Sequence, residues 1–223
     1  MYKTEMHCHC CPVSACSQVS ARPFVEKYIE AGYTSVVITD HLNDQTFSKE
    51  LEAASWEKRA DYFVGSYNRL LEAADGRLNI LFGAEIRLLN DPESDYLVYG
   101  MTEEFFRTVD DPRYLKNTGE LAALVHEHGM MIFQAHPFRP NMLLPDPALL
   151  DGMEIGNLCF WKESNNDMAK MWAERYDLIG ITGTDFHIPN QPPIGGIATD
   201  YPITDNETLL KTLRDGTFTT LWG

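Results

Sequence analysis

The chain has 223 residues, 44% hydrophobic and 23% charged, the balance of a soluble globular protein long enough for one sizeable core. A formal net charge of −15 argues against general binding of nucleic acid or anionic membrane, and an anionic substrate would need local positive charge of the kind bound metal ions supply. Five cysteines, four of them crowded near the start, make no disulfide framework. With no apolar leader and no apolar run of membrane length, the expected compartment is the cytoplasm.

Short apolar runs alternate with amphipathic stretches along the whole chain. Lys3 to Cys8 reads as a first strand. "SARPFVEKYIEAG" reads as a helix, with Ser20 as N-cap, an apolar stripe of Phe24, Val25, Tyr28 and Ile29, and Gly32 as the stop. "SVVITD" is an unbroken apolar run, the mark of a strand buried on both faces. Residues 49–74 carry one long helical pattern, with Ala60, Phe63, Val64, Tyr67, Leu70, Leu71 and Ala74 at helical spacing. "NILFGAEI" follows as a strand and "DYLVYG" as a short one. "NTGELAALVHEHG" is a helix that Asn117 and Glu120 would open as a capping box. "MMIFQAHP", "DGMEIGN" and "LIGITGTDFH" are three more buried strands, with a helix over residues 167–176 between the last two. "GGIAT", a helix in "NETLLKTLR" and "TFTTLW" close the chain.

About seven strand–helix units predict an α/β fold, a distorted (β/α)7 barrel of parallel strands formed as a single domain over residues 1–223. An open doubly wound sheet has the same pattern. The barrel is favoured because polar and titratable residues gather at the C-terminal ends of the strands, where a barrel would bring them into one pocket.

The stretch "MHCHCC" at residues 6–11 is the densest group of metal-binding side chains. Side chains alternate along a strand, so His7 and His9 share one face, and Cys8 and Cys10 the other. The two cysteines then read as small buried apolar residues behind the site. Other strand ends add Asp40 and His41, Glu85, His136 followed by Arg139, Glu154 with Asn157, and Asp185 with His187. Imidazoles and carboxylates in this mixture suit Zn, Mn or Fe. His126 and His128 lie two apart on a helix, on different faces, and read as structural. Glu154 sits within a strand, where a buried structural role and a supporting role are equally consistent with the alternation.

These residues, in this order, resemble the polymerase and histidinol phosphatase (PHP) family of metal-dependent phosphoesterases. The resemblance runs from "HCH" through "ITDH", "GAE" and "AHPFR" to "TDFH". It implies a seven-unit barrel with two or three divalent ions at its C-terminal face, and hydrolysis of phosphate esters. Carried over, His7, His9, Glu85 and Asp185 would hold one ion. Glu85 would bridge to a second ion, bound also by His136, and His41 with His187 would hold a third. The loop "CCPVSACS" lacks the usual Asp or His of the third position and leaves it to Cys16 or a water. "DYLVYG" lacks the histidine that often completes the second.

The expected activity is hydrolysis of small phosphate esters, a metal-activated hydroxide attacking phosphorus. Arg139, three residues after His136, would grip the phosphate, with Arg87 as a second candidate. Asp185 or His187 would protonate the leaving oxygen, while Asp40 and Asn157 would orient neighbouring ligands from behind. The expected partner is a small phosphorylated metabolite, with neither membrane nor general nucleic-acid binding. Two alternatives share the pattern: an amidohydrolase-like metallohydrolase of another bond, and a metal-binding module without catalysis. Phe138, Phe160 and Trp161 lie near strand ends, where they would either wall a ring or pack in the core.

Overall fold

Short apolar segments give short strands, and two of them change sheets partway. The computed structural model describes residues 1–223, the side chains of residues 92 and 93 excepted. In chain order the elements are β1 (Tyr2–Glu5), α1 (Ala21–Glu30), β2 (Tyr33–Ile38), β3 (His41–Leu42), α2 (Lys49–Glu52), α3 (Trp56–Ala74), β4 (Asn79–Phe82) and β5 (Ala84–Leu88). There follow β6 (Asp91–Tyr99), α4 (Glu103–Thr108), α5 (Thr118–Glu127), β7 (Met131–Gln134), β8 (Gly152–Asn157), α6 (Asn166–Tyr176), β9 (Ile179–Gly183), β10 (Ile197–Thr199), α7 (Asn206–Asp215) and β11 (Thr219–Thr220).

The strands form two sheets, in the orders β11-β10-β1-β2-β4 and β3-β5-β6-β7-β8-β9. The chain passes from the first sheet to the second twice, from β2 into β3 and from β4 into β5. "NILFGAEI" is therefore two strands, hinged at Gly83. A side chain there would meet Val98 O at 2.9 Å and Val37 Cγ1 at 3.0 Å, so only glycine lets the backbones approach. Gly83 N donates to Ile38 O at 3.0 Å and Glu85 N to Asp40 O at 3.1 Å, which keeps the two bent strands paired through the hinge. On the other side the sheets meet beyond β1 and β9. There Cys8 and Phe186 form an isolated parallel bridge, Asp185 N donates to His7 O at 2.8 Å, and His9 N to Phe186 O at 3.0 Å.

The mixed α/β class is as expected, but the strands are not all parallel. β6 runs antiparallel to β5 and β7, and β10 antiparallel to β1 and β11. Only Leu89 and Asn90 separate β5 from β6, far too little chain for the crossover that parallel pairing needs. The expected long helix over residues 49–74 is broken between α2 and α3, where Ser55 takes an extended conformation before Trp56. Serine competes with the helix for its own backbone and favours such a start. The expected capping box is half made. Asn117 Oδ1 accepts from Glu120 N at 3.1 Å, but Glu120 Oε2 accepts from Lys116 N, one residue earlier than a box requires.

Apolar side chains of α1, α3, α4, α5 and both sheets, among them Phe24, Tyr28, Phe63, Phe82 and Phe106, make the larger core cluster. One buried carboxylate ties the ends of β1 and β9 together behind the site. Glu5 Oε1 accepts from Met6 N, His7 N and Thr184 N at 2.9 to 3.1 Å, while Glu5 Oε2 accepts from Tyr28 Oη and Thr184 Oγ1. These bonds pull the chain off the regular ladder after Glu5 and set His7 at a bend. Gly183 lies against that bend: a Cβ there would sit 2.4 Å from His7 Cβ and 2.7 Å from Glu154 Oε1. Gly183→Ala should therefore cost about 1–3 kcal/mol, read as a lower urea midpoint at unchanged slope. An unchanged or raised midpoint, the ordinary result of Gly→Ala where space allows, would contradict this packing.

Candidate metal centre

His7, His9, His41, Glu85, His136, Asp185 and His187 converge at one end of the sheets. Three overlapping groups bring their ligand atoms within 4.8 Å of one another: His7, His9 and Asp185; His7, Glu85 and His136; His9, His41 and His187. His7 Nε2 lies 3.5 Å from both Glu85 Oε2 and Asp185 Oδ1, and His9 Nε2 lies 3.5 Å and 3.2 Å from the same two oxygens. His136 Nε2 is 3.0 Å from Glu85 Oε1, and His41 Nδ1 is 2.7 Å from Glu85 Oε2. Glu85 is central to the arrangement.

The inner side chains are almost fully buried: His7 and His9 are 0% exposed, Glu85 1% and Asp185 2%. Yet His7 Nε2, His9 Nε2, His41 Nδ1, Glu85 Oε2 and Asp185 Oδ1 have no aligned hydrogen-bond partner in the protein; the 2.7 Å approach of His41 Nδ1 to Glu85 Oε2 is a charge contact off the hydrogen-bond direction. Buried polar atoms are ordinarily satisfied, and leaving one bare costs about 1–3 kcal/mol. Five in one place, all lone-pair donors, fit divalent cations by number, chemistry and convergence.

The opposite edges of the rings are held. Glu154 Oε1 lies 2.9 Å from His7 Nδ1. A carboxylate can only accept, so the ring proton belongs on Nδ1 and the lone pair on Nε2 faces the cluster. Glu154 Oε2 also accepts from His136 N at 2.8 Å and from Asn157 Nδ2 at 3.0 Å. The strand alternation around Glu154 was open in both directions, and the structure turns it inward. His9 Nδ1 lies 3.3 Å from Ser14 Oγ, which donates to Asp40 Oδ1 at 2.7 Å and accepts from His41 N at 3.0 Å. Asp40 thus reaches His9 through Ser14, a residue with no signal in the sequence beyond its place in the loop. Two ligand positions have left-handed backbones uncommon for side-chain-bearing residues, His136 at φ 27° and Asp185 at φ 50°.

Arg139 Nη2 donates to Asp185 Oδ2 and Asn157 Oδ1, each at 2.7 Å, and its Nε donates to Ser164 Oγ at 3.2 Å. Arg87 is bound bidentately by Asp95, with Nε to Oδ1 at 2.6 Å and Nη2 to Oδ2 at 2.5 Å. Asp95 is buried, with Oδ2 3.8 Å from His136 Nε2, and was missed in the sequence. It lies midway along β6, which is antiparallel to its neighbours, so its C-terminal end points away from the site.

Cys8 and Cys10 lie in the core behind the cluster, and burial pushes both thiols up, Cys8 furthest, away from the thiolate form. Cys16 is exposed at the mouth. Burial opposes its ionisation, but hydrogen bonds with His187 and His41 outweigh that and bring it down to about 6. Cys11 is half-buried. His126 on α5 and His128 just past its end are exposed and stand apart from the cluster, His126 beside Asp151 and His128 on Leu124 O. A cavity of about 670 Å³ opens over the cluster, lined by His41, Arg87, Asp95, Arg139, Trp161 and Lys162 among others.

Charge explains the protonation of the metal-free cup. Burial disfavours charge on His7, but Glu154, Asp185 and Glu85 around it hold its imidazole well above the usual histidine range. Burial alone pushes His9 well below that range, and the neighbouring His41 and His187 push it further. Burial would raise the carboxyl groups of Glu85 and Asp185, yet His41 and His7 hold the first, and His7 and Arg139 the second, well below the usual carboxylate range.

No family model matches the chain. A curated 5'-3' exoribonuclease of Haemophilus influenzae is 35% identical over 74 residues, a stretch covering 29% of this chain and 27% of that protein, so the match spans about a quarter of the relative. Among solved structures, a two-domain Bacteroides vulgatus protein described as containing a predicted PHP-like metal-dependent phosphoesterase superposes with TM-score 0.69 at 17% identity, over 100% of this chain and 66% of that one. PsfC of Pseudomonas syringae gives TM-score 0.71 at 16% identity, over 100% and 91% of the two chains. The lesion-specific endonuclease PfuEndoQ of Pyrococcus furiosus gives 0.64 at 17% identity, over 98% and 57%. The chain therefore has the fold of PHP-like metal-dependent phosphoesterases, as its ordered motifs suggested.

These comparisons correct one expectation. The sequence pointed to a small phosphorylated metabolite and away from nucleic acid, whereas an exoribonuclease and a lesion-specific endonuclease are among the similar proteins. The physical reason lies in scale: a net charge of −15 describes the whole surface, while Arg139 and Lys162 bring positive charge to the cavity wall. Among the described residues no helix is long and apolar enough to cross a membrane.

A divalent ion bound at His7 Nε2 must displace the second proton of the charged imidazole, while Nδ1–H stays on Glu154. Zn²⁺ added to the metal-stripped protein in weak buffer near neutral pH should release about one proton with the first ion, and affinity should fall as pH is lowered. Uptake without proton release would place the ion elsewhere.

Proposed function

We propose that this chain is a metal-dependent phosphoesterase acting on the phosphate esters of nucleic acid, with residues 1–223 working as one catalytic domain. The observation that carries the reading is the set of bare, buried nitrogen and oxygen atoms converging from His7, His9, His41, Glu85 and Asp185. His7, His9, Glu85 and Asp185 would hold a first ion, and Glu85 with His136 a second. His41 and His187, joined by His9, would hold a third, with Cys16 at its open side. Zinc, manganese and iron all match the imidazole–carboxylate donors. Bound there, such ions would supply Lewis acidity and a nucleophile at neutral pH.

The chain's own groups supply the rest. Arg139 fixes Asp185 from behind and turns toward the cavity, where its guanidinium meets an entering phosphate. The guanidinium of Arg87 is already neutralised by Asp95, so its part is to brace that wall of the cavity. With only the first two ions bound, His187, at the cavity wall with its Nδ1 2.8 Å from Asp185 O, would be the group positioned to give a proton to a leaving oxygen. Glu154 and Ser14 with Asp40 hold the rings of His7 and His9, and Asn157 spaces Glu154, Asp185 and Arg139. The ligand atoms lie beneath a walled cavity, so a phosphate reaches them from a strand end or an extruded nucleotide, not from within a stacked duplex.

Purified protein loaded with Mn²⁺ or Zn²⁺ should cleave single-stranded oligonucleotides. Asp185→Asn should lower the rate by about 100-fold or more and also reduce the bound metal. A metal-loaded protein inert toward RNA, DNA and bis(p-nitrophenyl) phosphate would overturn the reading.

A further inference from the structure

Three aromatic residues lie near the strand ends around the cup, and they meet different fates. Phe138 packs on Trp172 with ring centroids 6.1 Å apart, within a small apolar cluster. Phe160 and Trp161 do not pack inward: they are 63% and 40% exposed. A packed aromatic removes some 150–250 Å² from water, so leaving two neighbours outside gives up a large apolar contribution. They occupy the middle of a turn closed by Lys162 N donating to Cys159 O at 3.1 Å.

The turn is fastened to the cup. Asn157 Oδ1 accepts from Cys159 N at 3.2 Å and from Arg139 Nη2 at 2.7 Å, and that same Nη2 holds Asp185. Leu158 N donates to Gly183 O at 2.9 Å. The two rings meet edge to face, with centroids 4.8 Å apart at 89°. Such a contact holds the two rings in a fixed relation while Trp161 stays 40% exposed. Trp161 lines the cavity with its ring 6.5 Å from that of His187, and Lys162 and Arg139 flank it with positive charge.

We propose that Trp161, braced by Phe160, is a stacking platform for a nucleobase of the single strand whose phosphate enters the cup, with Lys162 following the backbone. The proposal rests on the nucleic-acid reading above and names the part of the substrate that this wall recognises. An indole face takes any base, because every base has a π-face, so this surface would select single-stranded nucleic acid over a bare phosphate ester without reading sequence. It would also hold the strand end over the ions between turnovers.

The test reads binding, so it needs no turnover. Metal-loaded protein is titrated into a short, fluorescein-labelled, phosphorothioate-linked single strand, and into the same backbone lacking every base, and anisotropy is followed. Native protein should bind the base-bearing strand about tenfold more tightly than the abasic one. Trp161→Ala should remove that difference by weakening the base-bearing strand alone, with metal content unchanged, and Trp161→Phe should restore most of it. Equal weakening of both strands, no weakening of either, or no binding of the base-bearing strand by native protein would overturn the platform. Hydrolysis of bis(p-nitrophenyl) phosphate, measured separately, would then still show whether the phosphoesterase reading stands.

Discussion

Two carboxylates and five imidazoles share a small volume, and several of their lone pairs meet no donor in the protein. Everything else about this end of the molecule follows from that constraint. Buried carboxylates need compensating positive charge, and in the protein alone protons on the surrounding imidazoles provide it. A divalent cation provides the same charge with directed bonds and satisfies the bare atoms as well. The charge of the cup can thus be balanced in two ways, by protons or by cations.

That stability is built around the ligands. Glu5, buried on the far side of the bend, collects the backbone N–H groups of Met6, His7 and Thr184 and so joins β1 to β9. Glu154 and the Ser14–Asp40 pair set the ring orientations of His7 and His9. The left-handed backbones at His136 and Asp185 are uncommon for residues of these types, and the surrounding bonds of Glu154 and His7 hold both in place. Rigid donors placed in advance lose little freedom when an ion binds, which is how a site made of loop residues becomes selective.

The candidate ligands were legible in the sequence because imidazoles and carboxylates are rare enough that their recurrence at apolar strand ends carries information. The alternation of His7 and His9 against Cys8 and Cys10 survives although the regular ladder stops at Glu5. What sequence could not convey was direction. Asp95 was overlooked because β6 runs backwards, and its pocket end comes first in the chain. Gly83 looked like the interior of one strand, although its crowding against Val37 and Val98 makes it a hinge between sheets. Glu154 could face either way until its partners were in view. Net charge misled for a different reason: it sums over the whole surface and says nothing of the charge at one cavity.

Phosphate chemistry, the guanidinium of Arg139 and the aromatic wall all depend on cations occupying the cup. The most direct measurement is anomalous diffraction from crystals grown with Zn²⁺ or Mn²⁺. The account predicts a peak about 2.0–2.2 Å from Nε2 of His7 and of His9 and from Oδ1 of Asp185, with a second beside Glu85 and His136. Ions bound only at surface carboxylates, with the cup free of anomalous density, would contradict it.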